Sequence, residues 1–286
     1  MSSNLRQLSK FVDVCRNFVA KSQIQTRRVT DIYTERTNDM NRMRQLPVMF
    51  LKARLRLIND ELEAISYINT GVHREQPIIR EYRVENGIKR KHEYKLANMK
   101  GQMLLKRLEH RNSLSDAKRL IESCITDSAA TATFEPSKVT TIFNKELYES
   151  LQSEALEVPA NLGYIHNGIR MRSRGEVVIA QVLDSLGLEY KYETEINIDG
   201  ETYYPDFSVY LPEFERFFII EFLGMLDDKT YAIKNSLKLG TYLNAGMIIN
   251  TDLLIFEGTK NTMPSVDSIT EDIIALIKKY CRIYSI

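Results

Sequence analysis

Two carboxylates stand where a charge is costly. Asp206 lies between Pro205 and Phe207 in a segment that reads as a β-strand, and Glu221 follows Phe217, Phe218, Ile219 and Ile220. An ionised carboxylate in such a setting is expensive unless it is paired with, or bound to, a cation. The two are fifteen residues apart on successive strands, so strand pairing can bring them to one point. There, mutual repulsion favours a divalent metal. Hard oxygen ligands in small number suit Mg²⁺, which keeps its waters and takes further ligands from a substrate phosphate. Each acid alone has a plainer reading: Pro-Asp is common in turns, and a lone glutamate in a strand also serves as an edge residue or salt-bridge partner.

An α/β pattern from Met171 onward positions these acids. Residues 173–187 (SRGEVVIAQVLDSLG) read as a helix, with Val177, Ile179, Ala180, Leu183 and Leu186 inward and Gly187 as its stop. LEYKYETEINI reads as a strand ending at Asp199-Gly200, a hairpin cue, and ETYYPDFSVY as its return. RFFIIEFLG is an almost continuous apolar run, the pattern of a strand buried on both faces. A helix over about 228–245, a strand in MIINTDLLIF and a helix over 267–284 complete the order.

The N-terminal half differs in kind. Residues 4–22 place Leu5, Leu8, Val12, Cys15 and Val19 at helical intervals. A second helical run covers about 27–68, and Pro47 should kink or divide it. Asn86-Gly87, between Ile79, Tyr82, Val84 and Ile88, His92, Tyr94, marks a β-hairpin with a two-residue turn. The hairpin, near 79–95, carries Arg80, Arg83, Lys89, Arg90, Lys91 and Lys95, and a helix over about 97–125 returns from it. The small, polar stretch 126–136 reads as a linker, 138–151 as an amphipathic helix and 157–169 as loop.

Charge separates the halves. Residues 1–130 hold 25 Lys+Arg and 15 Asp+Glu, whereas residues 131–286 hold 14 and 23. The near-neutral total of +1 therefore hides a basic module suited to an anionic partner, joined to an acidic domain. Cations on a hairpin suit nucleic-acid phosphates, though a charge run also serves simply to solvate long helices. No apolar stretch reaches the length of a membrane span, and the first thirty residues lack the apolar core of a secretory signal. Cys15, Cys124 and Cys281 are scattered and odd in number, which fits a reducing cytoplasm and offers no disulfide framework.

The order RSRGE (172–176), YPDF (204–207) and EFLGM (221–225) resembles the PD-(D/E)XK nuclease superfamily. More narrowly it resembles a bacterial and phage group whose core reads RSKSE, YPDF, then E-H-x-G-M with a later Tyr and Lys, and whose N-terminal extension is a helix–hairpin–helix. The resemblance covers about residues 165–280. It implies an α/β fold: a restriction-endonuclease-like mixed sheet flanked by helices, preceded by a mainly α-helical module with a β-hairpin. The expected organisation is a basic module over 1–125, a linker and connecting helix over 126–165, and a nuclease-like domain over 166–286. The implied activity is Mg²⁺-dependent phosphodiester hydrolysis, with Mn²⁺ as a substitute ion.

Carried over by position, Glu176 is the helix carboxylate of the site. Asp206 and Glu221 are its metal ligands, with the Phe222 backbone carbonyl a further one. The superfamily's lysine, two residues after the second acid, is here Leu223; in the narrower group it stands on the following helix. Lys234 and Lys238 share a helix face with Tyr231 and Tyr242, and Lys238 is the expected replacement, although both lysines also suit a solvated face. Phe222 stands where relatives often have His. Arg170, Arg172 and Arg174, at alternate positions before Glu176, are candidate phosphate contacts if the segment is extended.

Three functions compete. The leading expectation is a cytoplasmic metal-dependent endonuclease, DNA favoured over RNA, assisted by its basic module. The second is a catalytically degenerate nucleic-acid-binding protein, favoured by Leu223 and Phe222. The third is an adaptor dimerising through its N-terminal helices, a homodimer also compatible with nuclease activity.

Overall fold

The computed structural model of the protein describes residues 39, 41–125, 141–153, 163–198 and 200–284. The chain divides into two compact units, 1–39 and 40–286, and the second is described below. The expected helix at 4–22, the helical run before residue 39, the linker 126–136 and Asp199 lie outside the described residues, as does any dimer contact through the first helices.

Pro47 divides the expected helical run: it sits immediately before α1 (Val48–Ala64), where its missing N–H costs no hydrogen bond. The helix ends at Ala64 and not near residue 68. Tyr67–His73 is a strand, β1, pairing antiparallel with β2 (Gln76–Glu85). The sequence hid it because the connecting turn is Arg74-Glu75, two side-chain-bearing residues at φ 49° and 66°. β3 (Ile88–Lys95) completes the sheet through Asn86-Gly87, both at positive φ as expected. One face of this sheet packs on α2 (Met99–Ile125) through Ile68, Ile79 and Leu104.

The C-terminal part is mixed α/β. A short helix, α3 (Lys145–Ser150), precedes a hairpin, β4 (Tyr164–His166) and β5 (Ile169–Met171), turned at Asn167-Gly168 within the stretch expected as loop. Next come α4 (Arg174–Ser185), β6 (Glu189–Tyr192), β7 (Ile196–Ile198), β8 (Glu201–Tyr203), β9 (Phe207–Leu211), β10 (Arg216–Leu223), α5 (Lys229–Asn244), β11 (Leu253–Glu257) and α6 (Val266–Tyr284). The main sheet has the order β11-β10-β9-β6, with β10 parallel to β11 and antiparallel to β9.

Each strand expected on either side of Asp199-Gly200 is in fact two. Glu193, at φ 44°, breaks the first, so β6 joins the main sheet while β7 and β8 form their own two-stranded ribbon. The strand expected in MIINTDLLIF starts only at Leu253, because Asn250 adopts φ 60° and the Asp252 carboxylate accepts from the Ile248 N–H.

All eight residues of β10 are buried, as its apolar run requires of a strand covered on both faces. Alternation sends Phe218, Ile220 and Phe222 into the larger core with α1, α4 and α6. Phe217 and Ile219 face the other core, with Tyr242 of α5 and Phe143. Helix α1 thus belongs to the α/β core: Phe50 stacks on Phe214, and Arg54 reaches Glu213 at 2.5 Å and the Gly187 carbonyl at 2.7 Å. Among the described residues no helix is long and apolar enough to cross a membrane.

Candidate active site

Strand parity brings the expected acids together. Glu221 has the parity of Phe217 and Ile219, so it points toward α5. The β9–β10 register pairs Phe207 with Ile220, which sets Asp206, one residue earlier, opposite Glu221. The Asp206 carboxylate accepts from the Phe222 amide at 2.6 Å, while its own carbonyl accepts from the Glu193 amide at 2.9 Å. The kink at Glu193 and the break at Pro205 fix the aspartate where the strands part.

Helix α5, capped by Asp228 on the Thr230 and Tyr231 amides, presents Lys238 and Tyr242 four residues apart on one face. Lys238 Nζ donates to Glu221 Oε2 at 2.7 Å and to the Tyr204 carbonyl at 3.0 Å, and the Tyr242 hydroxyl donates to Glu221 Oε1. Lys234 is exposed and lies outside this network. Glu221 is only 2% exposed. Burial pushes its carboxyl above the usual range, and the nearby Lys238 ammonium opposes that rise without cancelling it. Asp206 is pushed up further, first by loss of water and then by the charge of Glu221. Ionising both carboxylates at once is therefore costly.

Glu176 meets them from α4. Ser173 caps this helix, its hydroxyl accepting from the Glu176 amide at 3.2 Å and donating to Glu176 Oε1 at 2.7 Å, so the S-x-x-E spacing ties the cap to the carboxylate. Glu176 Oε2 accepts from the Arg172 amide and from the Tyr192 hydroxyl. The same residue thus ends the helix and lines the cleft.

The cleft measures about 670 Å³, and Glu176, Asp206, Glu221 and Lys238 all line it. Arg172 and Arg174 line it too, whereas Arg170 does not. Their expected extended segment ends with β5 at Met171 and becomes helix at Arg174, so three alternate positions do not make one face. Arg172 pairs with Glu193 at 2.8 Å, and Arg174 lies over the Tyr164 ring.

Sequence reasoning missed one residue that lines the cleft and one buried residue that supports it. Glu193, 4% exposed, is a fourth acid there, pushed up by burial. It was hidden inside an alternating strand pattern that gives no sign of a kink. Tyr192, which holds Glu176, has the same parity in β6 as the core positions and reads as packing.

Phe222, on the opposite parity to Glu221, fills a slot made by glycines. A Cβ on Gly175 would lie 2.1 Å from its ring, one on Gly224 2.7 Å and one on Gly258 3.3 Å. Gly175 stands where the resemblance has Ser, and Phe222 where it has His, so the two departures touch.

Among the described residues no three His, Cys, Asp or Glu side chains form a ready metal cage. The donor set nevertheless fits Mg²⁺, which needs only one or two carboxylates. Asp206 Oδ1 accepts no hydrogen bond among the described residues, and a divalent cation beside it would offset the cost of ionising Asp206 next to Glu221. No protein family, curated protein or solved structure gives a significant match to the chain.

The hairpin cations divide between two faces. Directly opposed residues in an antiparallel pair share a face, so Arg80, Lys89, Lys91 and Lys95 lie together and Arg83 and Arg90 lie on the other side. Arg83 is bound to buried Glu81 at 2.6 Å, and Arg90 to Glu85 at 3.5 Å.

Proposed function

We propose that the protein is a metal-dependent nuclease of the PD-(D/E)XK kind, with a restriction-endonuclease-like core, acting on DNA. The observation that carries this reading is the meeting of Asp206, Glu221 and Lys238 in one cleft, from two adjacent strands and the following helix. The core order α4-β6-β9-β10-α5-β11, with the acids where the central strands part, agrees with it.

Asp206 and Glu221 would hold Mg²⁺, which when bound polarises the scissile phosphate and lowers the pKa of a water. The protein's own contribution is positioning. Tyr242 and Lys238 fix both oxygens of Glu221, and the Phe222 amide fixes Asp206. Lys238, a third exposed at the cleft, can offset charge on the phosphate as it grows in the transition state. Arg172 and Arg174 on the cleft wall suit the flanking phosphates.

One observation favours the binding-only alternative: both oxygens of Glu176 and of Glu221 already accept hydrogen bonds from the chain itself. Cleavage of labelled linear, supercoiled, single-stranded and branched DNA and of RNA, with Mg²⁺ or Mn²⁺ and EDTA controls, tests the two. Metal-dependent cutting lost in Asp206→Ala supports the nuclease. Binding without cutting on every substrate supports the degenerate core.

A further inference from the structure

The outer face of the β1–β3 sheet has a feature that phosphate contacts do not explain. The Tyr67 and Tyr82 rings lie 5.5 Å apart on neighbouring strands, and Tyr67 is 52% exposed. Large aromatics at a surface normally turn inward or are covered. Here the other face of the sheet takes up the packing on α2, through Ile68, Ile79 and Leu104.

Lys89, from β3, sets its ammonium 5.4 Å from the Tyr82 centroid and 5.9 Å from that of Tyr67. Lys91 lies directly opposite Tyr82, and Lys95 lies further along the same face of β3. Cations two residues apart on a strand recur at about 7 Å. Lys89 and Lys95 have no carboxylate partner among the described residues. Glu93, the one acid β3 places on this face, is already held by Arg80, Lys91 and His73, which push its carboxyl down to about 2. The opposite face differs: there Arg83, Arg90 and His92 are consumed by Glu81 and Glu85.

We propose that this face is a binding platform for single-stranded DNA, with unpaired bases stacking on Tyr67 and Tyr82 and the linking phosphate on Lys89, the cation beside the rings that no carboxylate among the described residues holds. Duplex DNA keeps the faces of its bases inside the helix, so only unpaired bases can use the rings, and stacking tolerates any sequence. The platform rests on the nucleic-acid half of the function proposed above and adds a preference for strands that are open or unpaired.

The test is equilibrium binding by the full-length protein in EDTA, where nothing is cut. The probes are a single-stranded oligonucleotide carrying 2-aminopurine and the same sequence as duplex. The expected result is quenching of 2-aminopurine on the single strand, with affinity for it reduced about tenfold in Tyr67→Ala and again in Tyr82→Ala. Duplex affinity should be unchanged, and Tyr67→Phe should bind like wild type. Lys89→Ala should lower the salt slope by about one for either probe.

Tyrosine variants that bind the single strand like wild type overturn the platform, as does an equal loss on duplex. Unquenched 2-aminopurine overturns it too. Because binding is read apart from cleavage, tyrosine-dependent stacking by a protein that fails the cleavage assay above would sustain the platform and sink the nuclease, whereas cutting in that assay with tyrosine-independent binding would do the reverse.

Discussion

The Phe222 ring occupies the space a side chain at residue 175 would need: a Cβ there would lie 2.1 Å from the ring. Gly175 is in the first turn of α4, where alanine is normally the better helix former by about 1 kcal/mol. The contact reverses that preference. Gly175→Ala should destabilise by about 1–3 kcal/mol, as overpacking does. Combining it with Phe222→Ala should cost less than the two single changes together, and denaturant unfolding of the four proteins measures the coupling. Additive costs would mean the ring moves aside freely.

Much of this site was legible because it follows strand parity. The run around Glu221 reads as a strand buried on both faces, and in the structure its alternation turns Glu221 toward α5 and Phe222 toward the core with α4. The choice of Lys238 over Lys234 rested on offset alone, and the structure places Lys238 on Glu221. What stayed hidden depends on backbone reversals without glycine or on distant partners. Arg74-Glu75 and Glu193 take positive φ without a sequence cue. Nothing local says that Arg54, in a basic helix, has its carboxylate 159 positions away.

That distant pair makes a second prediction. Arg54 and Glu213 are 8% and 1% exposed, so removing one leaves the other buried without compensation. Arg54→Ala should cost about 3–5 kcal/mol, whereas Arg54→Met with Glu213→Leu should recover most of it. A chemical melt followed by separate probes in α1 and in the C-terminal sheet should lose both together. Separate transitions would mean that α1 does not fold as part of the core.

Lys238 and Lys234 lie one turn apart on α5, but only Lys238 touches Glu221. Lys238→Ala should lower cleavage by about 10²–10³-fold, the usual loss for one preorganised donor. Lys234→Ala should leave it within a factor of two or so of wild type. The reverse ranking in single-turnover assays would move the lysine's role to position 234.

Asp206 should be held at a cost to stability. Its carboxyl is pushed well above the usual value by burial and by Glu221. An acid raised in the folded state contributes stability that is fully present below its unfolded pKa, about 3.9, and is lost as pH rises through the folded value. At pH 7–8, Asp206→Asn should therefore melt higher than wild type while cutting nothing. The amide oxygen can still accept from the Phe222 N–H. Near pH 4 the advantage should shrink, because the wild-type carboxyl is then protonated when folded. Mg²⁺ should raise the wild-type midpoint at neutral pH, by up to about 2.7 kcal/mol at a hundredfold excess over Kd, and leave Asp206→Asn unmoved. Thermal melts of both proteins across pH, with and without the ion, separate the causes. An aspartate placed for function and relieved by a cation gives both effects, whereas a structural aspartate gives a variant that melts lower at every pH and ignores the ion.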